Sequence, residues 1–130
     1  MERKCSFCPR SAPDFSDIKE FISDDLIQKV VKELIQLDYA GVIRFSGFVE
    51  PLLDKKIFNH ISTFKKSLPK VRVEVVTNGD PLNLNRLKKL FDCGLDKLLI
   101  SAYDGYDDVI KFQKLVNECG LSESQYIIRD

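Results

Sequence analysis

Short runs rich in β-branched and aromatic residues begin near Val42, Val71, Lys97 and Gln125, at intervals of 29, 26 and 28 residues, and each interval holds one stretch of helical periodicity. That spacing is the length of a β-α unit with short connections. It makes the strands parallel, because each crossover helix returns the chain to the same end of the sheet, and right-handed crossovers are the ones that pack. A parallel sheet covers both faces or closes into a barrel. This chain opens on a loop ahead of a helix and stops inside a strand. The expectation is an α/β fold, a partial (β/α) barrel of parallel strands, with a strand before Met1 and further units after Asp130. An open doubly wound sheet has the same periodicity.

Leu26, Ile27, Val30, Val31, Leu34 and Ile35 mark the first helix, behind Ser23-Asp24-Asp25, which supplies an N-cap and two carboxylates at the positive end of the helix dipole. Val42-Ile43-Arg44-Phe45-Ser46 reads as a strand ended by Gly47. A second helix on Ile57, Phe58, Ile61, Phe64 and Leu68 stops at Pro69, and the strand Val71 to Thr77 is broken by Asn78-Gly79-Asp80-Pro81. Leu84, Leu87, Leu90 and Phe91 give a third helix with Gly94 as its C-cap, before the strand Lys97 to Ser101. Val109, Ile110, Leu115 and Val116 give a fourth, ending near Gly120. The count is four strands and four helices.

The 130 residues, 44% hydrophobic and 31% charged, fill one modest core, so residues 1–130 read as one domain or part of one. Twenty basic and twenty acidic residues cancel, and the basic ones are scattered. That argues against a nucleic-acid partner. No apolar run approaches the ~20 residues that span a bilayer, and the charged start Glu2-Arg3-Lys4 leads into cysteines rather than a signal segment. The expected location is cytoplasmic, with thiols reduced or metal-bound.

In parallel α/β folds, functional groups collect on loops after the C-terminal ends of strands. Cys5 and Cys8 precede the first helix, Gly47-Phe48-Val49-Glu50-Pro51 follows the first visible strand, Thr77-Asn78-Gly79 the second, and Ser101-Ala102-Tyr103-Asp104-Gly105 the third. Two cysteines separated by two residues can turn both sulfurs toward one ion or cluster. A zinc site needs a second pair of ligands, and Cys93 and Cys119 lie on helical patterns while His60 stands alone. A thioredoxin-like dithiol needs a preceding apolar strand.

Cys5-Ser6-Phe7-Cys8, the Gly47 to Pro51 turn, Val76-Thr77-Asn78-Gly79 and Ile100 to Gly105, in that order and on those loops, resemble the radical S-adenosylmethionine (SAM) enzymes over nearly the whole chain. The resemblance implies a 4Fe-4S cluster held by cysteines, here Cys5 and Cys8. It implies SAM chelated to the open iron, with Gly47 and Glu50 receiving the methionyl ammonium and Thr77, Asn78 and Ser101 near the ligand. One electron, from an electron-donor protein, then cleaves SAM, and the 5'-deoxyadenosyl radical takes hydrogen from a peptide or small-molecule substrate. The sequence departs from the family pattern at two places: Met1 stands where the first cluster cysteine belongs, and Val49 where a second glycine belongs. A thioether brings no charge to an electron-poor iron. The competing reading is a cluster-free, non-catalytic α/β remnant or interaction module. Cys93 and Cys119 are expected to be small buried helix residues, His60 a partly exposed one, and Lys65-Lys66 and Lys88-Lys89 solvated charge without partners.

Overall fold

The computed structural model describes residues 5–16 and 18–130. Its helices are α1 (Asp24–Gln36), α2 (Ile57–Ser67), α3 (Leu84–Asp92) and α4 (Tyr106–Cys119), alternating with strands β1 (Val42–Phe45), β2 (Arg72–Thr77), β3 (Lys97–Ser101) and β4 (Tyr126–Arg129). Two 3-10 turns, Pro9–Ser11 and Pro51–Leu53, lie on the loops. Among the described residues no helix is long and apolar enough to cross a membrane.

All three strand pairings are parallel, and the order across the sheet is β1-β2-β3-β4. Periodicity leaves this order open; here it decides the architecture. Right-handed crossovers between sequential neighbours drop every helix on the same face, whereas a doubly wound sheet reverses its order and uses both. The helices touch in sequence, α1 on α2, α2 on α3 and α3 on α4, forming a single layer. This is an arc of a (β/α) barrel.

The helix side of the sheet holds the core. Val73, Val75, Leu98 and Ile100 point into it, against Ile61 and Phe64 of α2, Leu87 and Leu90 of α3, and Phe112 and Val116 of α4. The alternate positions face the other side. There, near the N-terminal ends of the strands, Arg44 donates Nε and Nη2 to Oε2 of buried Glu74 at 3.0 and 2.6 Å, and Arg72 Nε lies 3.1 Å from Glu74 Oε1. The next layer up on that face is apolar, Val76, Leu99 and Ile127 in register.

Local signals explain the element ends. The Ser23 hydroxyl accepts from the Leu26 amide at 3.2 Å and starts α1, Asn83 Oδ1 accepts from the Arg86 amide at 2.9 Å and starts α3, and left-handed Gly120 ends α4. Gly79, at φ 79°, is held open by packing as well as by backbone. A β-carbon there would run into the tip of the Phe112 ring.

Three expectations need correction. His60 is buried, 2% exposed, because it shares the core stripe of α2 with Ile57, Ile61 and Phe64; its ring stacks on Phe45, and Nε2 has no hydrogen-bond partner, with Asp54 Oδ2 3.4 Å away. Lys65 is not free charge: Nζ donates to the Val71 carbonyl at 2.9 Å and to Asp96 Oδ2 at 2.8 Å, and the same carboxylate oxygen accepts from the Val73 amide at 2.7 Å. This clamp fastens α2 to the starts of β2 and β3. Lys89 lays its ammonium 4.4 Å from the centre of the Phe58 ring. Cys93 and Cys119 are half-buried against the core, and burial pushes the Cys119 thiol up.

Gly79→Ala is expected to lower stability by about 2–5 kcal/mol, from left-handed backbone strain plus collision with Phe112. The denaturant midpoint measures it; an unchanged midpoint contradicts the packing described.

Candidate functional site

Cys5 and Cys8 share one tight turn. The Cys8 amide donates to the Cys5 carbonyl at 3.0 Å, the Ser11 amide donates to the Cys8 carbonyl at 2.8 Å, and the Ser11 hydroxyl donates back to the Cys5 carbonyl. Pro9 presets the φ of the 3-10 turn that follows. Both thiols are free and half-buried. Arg10, on the same turn, donates Nη1 to the Phe48 carbonyl at 2.9 Å and carries its guanidinium 5.8 Å from the centre of the Phe15 ring. The cysteine loop is thereby pinned to the turn after β1.

That turn needs glycine at its first position, since Gly47 has φ 132°, a conformation L side chains rarely adopt, although a β-carbon there meets no atom within 4 Å. Its last residue, Glu50, is buried and ties two strand loops together. Oε1 accepts from the Leu52 amide at 3.0 Å and from the Thr77 hydroxyl at 2.7 Å, and Oε2 accepts from the Asn78 amide at 2.8 Å. Thr77 Oγ1 in turn accepts from the Gly79 amide at 3.0 Å, and Asn78 Oδ1 from the Asp80 amide at 2.9 Å. Burial pushes the Glu50 carboxyl above its ordinary 4.5, outweighing the three donors that favour the anion.

These loops enclose a cavity of about 240 Å³ lined by Cys5, Cys8, Gly47, Glu50, Asn78 and Tyr103, among others. Phe7 and Tyr103, with ring centroids 5.6 Å apart, form one of its walls. Val49 stands on its rim, where a second glycine was expected. Val76 also lines it, so the sheet face left bare by the helices opens into the cavity at its C-terminal end.

Five of the seven residues expected at a site, Cys5, Cys8, Gly47, Glu50 and Asn78, therefore converge on one cavity. Thr77 and Ser101 are not in its lining: Thr77 is spent on Glu50 and Gly79, and Ser101 ends β3 opposite Arg129. Phe7 and Tyr103 stand in stretches that the sequence singles out, but neither their pairing nor the tether made by Arg10 is marked there. The Arg10 contact is to a backbone carbonyl 38 residues away, which no side-chain pattern records.

The donor set fits an iron-sulfur cluster at two positions. Cys5 and Cys8 offer two sulfurs from one turn, beside a cavity that the Gly47 to Glu50 turn also lines. Met1, where the first cluster cysteine belongs, lies outside the described residues. Among the described residues no group of three His, Cys, Asp or Glu side chains is placed to hold a metal ion.

Glu50→Ala strands three donors, and is expected to cost about 2–3 kcal/mol by the usual penalty for unsatisfied buried groups. Glu50→Gln is expected to recover part of this, because its amide oxygen can keep the Leu52 and Thr77 bonds. Since the native carboxyl titrates above 4.5, its stabilising contribution is full below that value and is lost as pH rises through the raised one. The stability gap between wild type and Glu50→Gln should shrink from pH ~4 to pH ~7; denaturant titrations in which it widens contradict the burial argument.

The sequence model of the radical SAM superfamily matches residues 2–128. The S-adenosyl-L-methionine-dependent 2-deoxy-scyllo-inosamine dehydrogenase of Niallia circulans is 31% identical over 103 residues, 79% of this chain and 41% of that protein. An uncharacterized protein of Methanocaldococcus jannaschii, MJ0804, is 40% identical over 75 residues, 56% of this chain and 26% of that one. Among solved structures, BtrN in complex with AdoMet and 2-DOIA superposes with a TM-score of 0.81 at 28% identity, over 98% of this chain and 51% of BtrN. BtrN in an open conformation gives 0.75 at 26% identity. The chain spans about half the length, or less, of the relatives it matches. With the family model covering nearly every residue and the sheet, loops and cavity arranged as above, the chain belongs to the radical SAM superfamily.

Proposed function

We propose that residues 1–130 are one incomplete radical SAM core domain, whose parent enzyme holds a 4Fe-4S cluster on Cys5 and Cys8 and SAM in the adjoining cavity. What supports the reading is the convergence of both cysteines, Gly47, Glu50 and Asn78 on that single cavity. When bound, the cluster and SAM supply a carbon-centred radical able to take hydrogen from an unactivated C–H bond. The protein's own tasks are positioning and exclusion. Cys5 and Cys8 supply thiolates. The Gly47 to Glu50 turn is assigned the methionyl ammonium, with its backbone carbonyls or the Glu50 carboxylate as acceptors. Ser101, at the end of β3 and outside the cavity lining, is assigned a place near SAM by the family resemblance. Phe7 and Tyr103 keep water from the reactive centre.

The substrate proposed is a small hydroxyl-bearing metabolite rather than a peptide. The dehydrogenase of Niallia circulans acts on 2-deoxy-scyllo-inosamine, and BtrN is solved with 2-DOIA. The reductant is a separate electron-donor protein, and the setting is the cytoplasm, where thiols persist reduced.

Anaerobic iron-sulfide reconstitution followed by electron paramagnetic resonance tests the reading. The expected result is a reduced 4Fe-4S signal that shifts when SAM is added and disappears in Cys5→Ala. Absence of any cluster in the wild-type chain favours the cluster-free remnant instead.

A further inference from the structure

Leu52, at the centre of the Pro51–Leu53 turn, is gripped at both of its backbone groups. Its amide donates to Glu50 Oε1 at 3.0 Å, and its carbonyl accepts from Arg86 Nη2, 34 residues away. The peptide that carries this carbonyl also carries the Leu53 amide, which donates to the Glu50 carbonyl at 3.1 Å. Arg86 therefore reaches Glu50 by two routes, one ending on its carboxylate and one on its backbone. A cation on the oxygen of a peptide strengthens what the nitrogen of that peptide donates. Leu52 is 1% exposed, so water does not compete for either bond.

Arg86 is itself fixed in place. It stands in the first turn of α3, where its amide donates to Asn83 Oδ1 at 2.9 Å. The loop before that cap is drawn tight by the Leu82 amide, which donates to the Gly79 carbonyl at 3.0 Å. These contacts close a ring that runs from Glu50 to the Asn78 amide, along the chain to Arg86, across to Leu52 and back to Glu50.

The choice of an arginine here is informative. A guanidinium offers five donors in a fork suited to a carboxylate. Among the described residues Arg86 makes no ion pair, and its half-buried side chain sets Nη2 on a neutral carbonyl. Its charge serves the turn.

We propose that Arg86 is a positioning residue for the SAM site, holding Glu50 in the orientation in which it lines the cavity and receives the methionyl ammonium. The inference rests on reading that cavity as the SAM site. Arg86 is outside the cavity lining and acts only through Leu52. Without its hold the Leu52 amide serves Glu50 less well, and a carboxylate with weaker donors titrates higher.

Nuclear magnetic resonance of the 130-residue chain can follow the Glu50 Cδ and Arg86 guanidinium signals together against pH. In the wild type the Arg86 signal is expected to respond with the Glu50 midpoint, a reading that needs no variant to fold. Arg86→Met, folded by circular dichroism, is expected to move that midpoint further upward and to speed exchange of the Leu52 amide. Arg86→Lys, which keeps a cationic donor, is expected to return both toward wild type. After iron-sulfide reconstitution, Arg86→Met should need about tenfold more SAM for half of the SAM-induced change in the paramagnetic resonance spectrum, with the SAM-free cluster signal unchanged. An Arg86 signal indifferent to Glu50, a folded Arg86→Met with the wild-type midpoint, or an unchanged SAM requirement overturns the proposal. A wild-type chain that assembles no cluster overturns the reading of the cavity instead, and the pH titration still decides whether Arg86 holds Glu50.

Discussion

The buried carboxylate of Glu50 is the point on which the rest of the site depends. It sits at the end of the loop after β1 and holds the loop after β2 by one hydroxyl and one amide, while its other bond starts the 3-10 turn at Pro51. Taking a carboxylate out of water is costly, and the upward push on its titration records that cost. Three donors offset it, and only while both loops keep their shape. Arg10 then fixes the cysteine turn to the same place from the other side. Two long-range ties thus hold together three of the cavity's four loops, which lie far apart in sequence.

Strand order does the coarser work. Sequential parallel neighbours put all four helices in one layer, leaving the opposite face of the sheet free to line an interior. That face is stratified, with a charged cluster around Glu74 at one end, an apolar belt of Val76, Leu99 and Ile127 above it, and the loops beyond.

Much of this was legible in the residues. Alternating period-2 and period-3.6 patterns located every α-helix and β-strand, though not the two 3-10 turns, and Ser23, Gly94 and Gly120 marked helix ends through local chemistry that needs no tertiary partner. The loop positions of Cys5, Cys8, Gly47, Glu50 and Asn78 followed from where β-α units place their connections. What escaped was long-range. His60 looked like any polar helix residue, yet its spacing from Ile57 and Phe64 commits it to the core; Lys65 looked solvated until Asp96, 31 residues on, came beneath it. Strand order was silent for the same reason, since a crossover of given length serves either neighbour. Thr77 was assigned to a ligand on its place in a motif, whereas its hydroxyl is consumed in holding Glu50.

The Lys65–Asp96 clamp and the Arg44–Glu74–Arg72 cluster both lie toward the N-terminal ends of the strands, opposite the cavity. Register is therefore secured at one pole of the sheet and chemistry displayed at the other. Such a separation makes the fold evolvable: replacements among Phe7, Val49 and Tyr103 can reshape what the cavity admits without loosening the ion pairs that keep the strands aligned.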